Sequence, residues 1–275
     1  MNRLVYSPVL ALLLLTLASA LRAQDVTIRL GIADTVTSEQ LAETRRLIVH
    51  LPESYEASNE RYLVLYLLDG TRESVLETIA AMNKLRGDGF APEMLVVAIE
   101  NVDRDRDMMP LSTTAYPVSN PGAERFLGFI ADDLIPHVDR TYRTTEQRIL
   151  VGKSLSGLFT LYALLTRPGL FGAYVGRSAG WLGDMNDYFS ALTDAAFQRA
   201  DQYQSKAIFM SMSLTDSFDP DQIIHRQMLA FSERVASQLG GRVRYKYETY
   251  EAHPHVPYPS LYDGLRFVFD TTGSR

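Results

Sequence analysis

Short runs of β-branched and aromatic residues alternate with segments of helical period along this chain, the pattern of a mostly parallel sheet covered by helices. The pattern predicts strands over residues 26–32, 46–51, 62–68, 94–100, 148–151, 173–175, 207–211 and 243–250. Leu63-Val64-Leu65-Tyr66-Leu67-Leu68 is apolar without alternation, as expected of a strand buried on both faces. Phe126, Ile130, Leu134 and Val138 recur at four-residue steps, and Ile224, Met228, Phe231, Val235 and Leu239 at three- and four-residue steps, so both sets predict amphipathic helices. Pro168-Gly169 and Gly240-Gly241 mark helix ends, and residues 259–270 form a last helix with Leu261, Leu265 and Phe269 on one face. No repeat or composition shift divides the chain. The prediction is one α/β domain over residues 24–275, with a mostly parallel twisted sheet of about eight strands and helices on both faces.

The first residues read differently. Met1-Asn2-Arg3, an apolar run over 9–17, and the small residues Ala18-Ser19-Ala20 and Ala23-Gln24 form the three zones of a signal peptide over residues 1–23. The run is shorter than the roughly 20 residues of a membrane span. An exported protein is expected, periplasmic or secreted, with no stable membrane insertion; an uncleaved N-terminal anchor is the alternative. Composition narrows the chemistry. With Lys+Arg 27 against Asp+Glu 33 and a net charge of -6, and no basic stripe, nucleic acid is an unexpected partner. The absence of cysteine excludes disulfides, thiolate metal sites and a thiol nucleophile.

Any nucleophile is therefore an oxygen or a nitrogen, and one serine stands out. Arg148-Ile149-Leu150-Val151-Gly152-Lys153-Ser154-Leu155-Ser156-Gly157 is an apolar strand that turns directly into an apolar helix at Ser154. In α/β hydrolases such a turn lifts the hydroxyl above the sheet, and the following amide, here Leu155, supplies half of an oxyanion hole. The usual Gly-x-Ser-x-Gly pattern is broken at its fifth position by Ser156, and a plain helix N-cap is the bland alternative. Gly152-Lys153-Ser154 also mimics the end of a phosphate-binding loop, but Gln147 stands where that motif requires its first glycine.

A serine hydroxyl needs a base and an orienting acid, which in this fold class follow it along the chain. Of the five histidines, His50 and His137 precede Ser154 and His225 falls within a helix, so these read as structural. His253 and His255 follow the last predicted strand, in Glu251-Ala252-His253-Pro254-His255-Val256, where a base belongs; a solvated loop or a metal pair with Glu251 are the alternatives. Asp216 is the first carboxylate beyond the strand at 207–211, with Asp219 and Asp221 as competitors that also read as helix caps. The second oxyanion amide is expected from Gly70 or Thr71, in the turn after the strand at 62–68. Asp103 to Asp107 alternates acids but lacks the glycine and glutamate of a calcium loop, leaving a charged loop or a substrate rim lined by Arg104 and Arg106. Trp181 is a further rim candidate, with core packing as its alternative.

These residues resemble the Putative esterase family of α/β hydrolases, which includes esterase D, enterochelin (enterobactin) esterases, feruloyl esterase domains and the mycolyltransferases. The resemblance is carried by Tyr62 to Gly70, Asn101 to Asp107, Gly122-Ala123-Glu124-Arg125-Phe126, the Ser154 turn, and Glu251 to Val256 followed by Ser260 to Phe267. It implies a Ser154 nucleophile, and a catalytic His253, because the family loop reads Glu-x-His-Gly-Ser-Val. His255 then falls where relatives carry serine. It is consistent with Asp216 as the acid, although some relatives look like Ser-His dyads. Three departures stand out: Lys153 for the usual His, Ser156 for Gly, and Arg177-Ser178-Ala179-Gly180-Trp181 where relatives carry a Ser-Pro-Ser-Leu-Trp type of segment. The expectation is a serine carboxylic-ester hydrolase acting on a small-molecule ester such as a siderophore or aryl ester, without cofactor or metal. Acyl transfer of the mycolyltransferase type and a non-catalytic binding protein on the same fold are the rivals. Nothing in the chain sets an oligomeric state. With so few residues beyond the eight strands and their helices, the cleft is expected to be open, with residues 101–120 as the one long connection.

Overall fold

The apolar runs without alternation become strands buried at every residue: β3 (Tyr62–Leu67) and β4 (Met94–Ile99). The structure is a computed structural model, and it describes residues 28–181, 183–253 and 255–270. The other strands are β1 (Ile32–Ser38), β2 (Glu43–His50), β5 (Thr144–Lys153), β6 (Ala173–Arg177), β7 (Lys206–Ser213) and β8 (Val243–Tyr250). Together they form one sheet in the order β1-β2-β4-β3-β5-β6-β7-β8. β1 and β2 enter antiparallel, and all pairs from β4 to β8 are parallel. The chain is a single α/β domain.

Side chains alternate across β3 and so define two cores. Leu63, Leu65 and Leu67 pack with Val75, Met82 and Leu85 of α1 (Arg72–Gly87), and with Leu261 and Leu265 at the C-terminal end of the chain. Val64 and Tyr66 face the larger core, built with the helices that follow β4. These are α2 (Arg104–Met108), α3 (Ala123–Gly128), α4 (Ile135–Thr141), α5 (Leu155–Thr166), α6 (Asn186–Phe197) and α7 (Ile223–Arg234), before the terminal α8 (Pro259–Phe269). The connection through α1 covers one face and that through α5 the other. The crevice therefore opens at the carboxyl ends of β3 and β5, where an open α/β sheet reverses its strand order.

Several expectations shift. β1 lies at Ile32–Ser38 rather than 26–32, because its register is set by antiparallel pairing with β2 and not by apolar content. β5 starts four residues before the apolar run, at Thr144, which pairs with Tyr62. α1 goes unread in the sequence because two of its five buried residues, Ser74 and Thr78, are polar. A spacing of four residues drifts about 40° per step around an α-helix. A π-helical stretch at Phe129–Leu134 absorbs that drift, and Phe126, Ile130, Leu134 and Val138 all stay at most 1% exposed. The expected signal peptide lies outside the described residues. Among those described, no helix is long and apolar enough to cross a membrane.

Gly152 is a point of close approach between β5 and α5. A Cβ there would lie 2.2 Å from the Ser156 carbonyl oxygen and 2.5 Å from Thr160 Oγ1. Gly152→Ala is expected to cost about 1–3 kcal/mol through overpacking, read as a fall in Tm of several degrees with residual Ser154 reactivity reduced in parallel.

Candidate active site

Ser154 occupies the turn from β5 to α5 with φ 54° and ψ -124°, outside the regions L-residues prefer. Its amide donates to Arg177 O at 2.8 Å, tying the turn to the end of β6. The departure at Ser156 also has a local role: its Oγ accepts from the Lys153 amide at 2.7 Å and lies 2.8 Å from Asp69 Oδ2, to which it donates. Gly157 takes over the need for a small residue, since a Cβ there would lie 2.8 Å from Arg177 O.

A hydrogen-bonded chain runs from Ser154. Its Oγ is 2.7 Å from His255 Nε2, and His255 Nδ1 is 2.6 Å from Asp216 Oδ2. Asp216 is buried beyond β7, and its other oxygen accepts the Phe218 amide at 2.8 Å, which fixes the carboxylate plane toward the imidazole. Asp219 instead accepts the amides of Ile224 and His225, capping α7, and Asp221 is exposed.

The expectation for His253 is corrected. Its carbonyl is pinned by the hydroxyls of Ser213 at 2.7 Å and Thr215 at 2.8 Å, and its ring stands edge-on to Tyr250. Ala252 has φ 53°, and beyond this turn it is the His255 ring that reaches Ser154. With both His255 nitrogens engaged, a shared metal with His253 has no free donor on that ring. The remaining histidines are tied elsewhere: His50 to Leu30 O, His137 to Asp34 and His225 to Tyr247.

The amide donors expected after β3 are also corrected. Gly70 N–H is spent on Ile99 O at 2.8 Å, and Thr71 N–H on Asp69 O at 2.7 Å, while the Thr71 hydroxyl caps α1. Gly70 is glycine for contact, since a Cβ would lie 2.6 Å from the Ile99 amide nitrogen. Leu155 stands at the first position of α5, where a helical amide has no partner within the helix, and it lines the Ser154 cavity.

That cavity holds about 230 Å³ and is walled by Met109, Leu155, Leu158 and Ile224, with Tyr116 and Phe218 as aromatic lining. Phe218 is 71% exposed and its ring centroid lies 4.6 Å from that of His255. The connection over residues 101–120 contributes Arg104, Met109 and Tyr116. Of the three rim candidates only Arg104 lines this cavity. Arg106 is turned to Glu43 and Asp107 because it anchors α2 to β2. Trp181 is 4% exposed, stacked on Phe189 at 5.0 Å and edge-on to Phe231, so it serves the core.

Arg104 grips Asp69 with two bonds, Nε to Oδ1 at 2.7 Å and Nη2 to Oδ2 at 2.8 Å, and Asn101 adds a third at 2.7 Å. Burial pushes the Asp69 carboxyl up, but the hydrogen bonds and charge of Arg104, with Asn101 and Ser156, outweigh it and hold the pKa below the usual carboxylate value. No sequence pattern announces this pair, although Asp69 and Arg104 both lie in stretches that carry the resemblance.

Residues 38–254 match the family described as Putative esterase. The chain is 31% identical over 159 residues to the ferri-bacillibactin esterase BesA of Bacillus subtilis, a match covering 48% of this chain and 54% of that protein. This chain thus spans about half the length of that relative. It is 26% identical over 239 residues to the siderophore triacetylfusarinine C esterase of Aspergillus fumigatus, covering 75% and 81% of the two chains. The crystal structure of an IroE-like serine hydrolase from Shewanella oneidensis superposes with a TM-score of 0.77 at 28% identity, over 86% of this chain and 79% of the other.

The depressed Asp69 pKa carries a sign. Its stabilisation is present above the ordinary carboxylate pKa near 4 and is lost as pH falls through the lower folded value. Asp69→Asn is expected to lower Tm at pH 7 by several degrees, corresponding to about 2 kcal/mol for a charge-assisted bond. The gap to the unsubstituted protein should close as thermal melts are taken below pH 4.

Proposed function

The chain belongs to the Putative esterase family, and from that premise we propose that it is a serine carboxylic-ester hydrolase whose catalytic groups are Ser154, His255 and Asp216. The observation that carries the reading is the continuous chain from Ser154 Oγ through the two His255 nitrogens to Asp216, at 2.7 and 2.6 Å. In it, His255 Nε2 accepts the Ser154 proton as Oγ attacks the ester carbonyl. Asp216 keeps the proton on Nδ1, presents a bare Nε2 to the hydroxyl, and stabilises the imidazolium that forms. The imidazolium then returns its proton to the departing alcohol, and water attacks the acyl-enzyme by the same route.

Charge develops on the carbonyl oxygen in each half-reaction. The Leu155 amide at the start of α5 is one donor to it. With the Gly70 and Thr71 amides spent, Arg104 is the second, a cation in the same cavity wall whose Asp69 partner lies behind it. Every step uses a group of this chain.

Apolar walls with an exposed Phe218 at the cavity suit a planar or aromatic acyl or alcohol group. Of the relatives reported above, one is named a ferri-bacillibactin esterase and another a siderophore esterase. Their names and this lining support a siderophore or aryl ester as substrate. The N-terminal pattern supports action outside the cytoplasm after removal of residues 1–23; N-terminal sequencing of the exported protein is expected to begin near Gln24.

The test separates the histidines. A fluorophosphonate probe is expected to add one adduct by intact mass, absent in Ser154→Ala. Ser154→Ala and His255→Ala should each lose about 10⁴-fold or more in kcat on a p-nitrophenyl ester, while His253→Ala stays within about threefold of the parent. An adduct that survives Ser154→Ala, or parental activity in His255→Ala, would overturn the assignment.

A further inference from the structure

Two residues at the end of β6 touch the nucleophile turn and the histidine loop together. Arg177 accepts the Ser154 amide through its carbonyl at 2.8 Å. Its side chain, 4% exposed in the whole residue, donates from Nε to Ser260 Oγ at 2.9 Å and from Nη2 to Pro257 O at 3.5 Å. Nη2 also lies 2.6 Å from Glu77 Oε1 on α1. The next residue, Ser178, has φ 46° and donates its hydroxyl to the carbonyl of His255.

A buried guanidinium with one carboxylate is a costly way to fill space, because desolvating both charges offsets their attraction and an apolar side chain would pack there at no such cost. What this side chain does is bind backbone. Residues 255–258, between β8 and α8, belong to no ladder, so the position of the imidazole depends on how the carbonyls around it are held. Ser178 holds that of His255, and Arg177 acts on that of Pro257 through Ser260, whose hydroxyl accepts from Arg177 and donates to Pro257 O, while Glu77 fixes the guanidinium from α1.

We propose that Arg177, paired with Glu77, and Ser178 are positioning residues that hold the His255 loop in register with the Ser154 turn. The proposal rests on the reading of Ser154 and His255 as nucleophile and base. An error of about 1 Å in such a pair costs on the order of 100-fold in rate, and only a planar fork reaches Ser260, Pro257 and Glu77 together.

Two variants test it. Arg177→Met with Glu77→Gln removes both charges and leaves neither buried and unpaired; Ser178→Ala removes one hydroxyl and decides the matter should the double variant fail to fold. Each is expected to lower kcat on a p-nitrophenyl ester, by about 10-fold for Ser178→Ala and up to 100-fold for the double variant, with KM within twofold. A second readout is independent of turnover: the low-field proton resonance of His255 Nδ1–H against Asp216, identified by its absence in His255→Ala. Its loss or broadening in the variants, with circular dichroism unchanged, supports the clamp. Parental kcat together with an unaltered resonance would overturn it. Should the unsubstituted protein hydrolyse no ester, the esterase reading fails and the resonance alone decides the clamp: persistence in the variants refutes it, loss supports it.

Discussion

The backbone of Ser154 is held where a non-glycine residue pays about 1–3 kcal/mol to remain, and much of the surrounding structure consists of what holds it there. Gly152 lets β5 pass against the first turns of α5, and Gly157 lets α5 pass against the end of β6. The Ser154 amide is satisfied by β6 rather than by its own helix. Ser156 closes the turn from inside by bonding Lys153 and Asp69. The hydroxyl is thereby aimed by parts of three strands before any histidine approaches it.

The second half of the site is held less by ladders than by side chains gripping carbonyls. His253 O, His255 O and Pro257 O are each bonded by a hydroxyl or guanidinium from β6, β7 or the residues that follow them. A loop fixed this way can carry a histidine to one place, but a reader of the chain sees only polar residues scattered over 80 positions. The Asp69–Arg104 pair is built on the same plan, joining the turn after β3 to the connection over residues 101–120 and so to the cavity wall.

Legibility in the sequence followed the range of the forces involved. Strands buried on both faces, apolar helix faces and a sharp strand-to-helix turn are local patterns, and the eight strands, Ser154 and Asp216 were all readable as candidates. The choice between His253 and His255 was not. Both lie in the right loop, the family pattern points to the first, and it is contacts with residues far back in the chain that hold the loop with the His255 ring at Ser154. Gly70 and Thr71 were sound candidates by position, yet an amide is available only if nothing else has taken it, and Ile99 and Asp69 have. α1 escaped notice because its buried face includes Ser74 and Thr78, whose hydroxyls bond within the turn and beside Lys153.

β8 ends the sheet on the side of the histidine loop, so its outer backbone has no strand partner among the described residues. An edge of this kind is a template for a foreign strand. Along it Arg244, Lys246 and Glu248 share one side and Tyr245 and Tyr247 the other. Lys246 and Glu248 pair with each other, and Arg244 donates to the last carbonyls of α8. An incoming strand would have to desolvate those charges in order to dock. The strand that leads to His255 is therefore guarded against edge-to-edge pairing by its own composition.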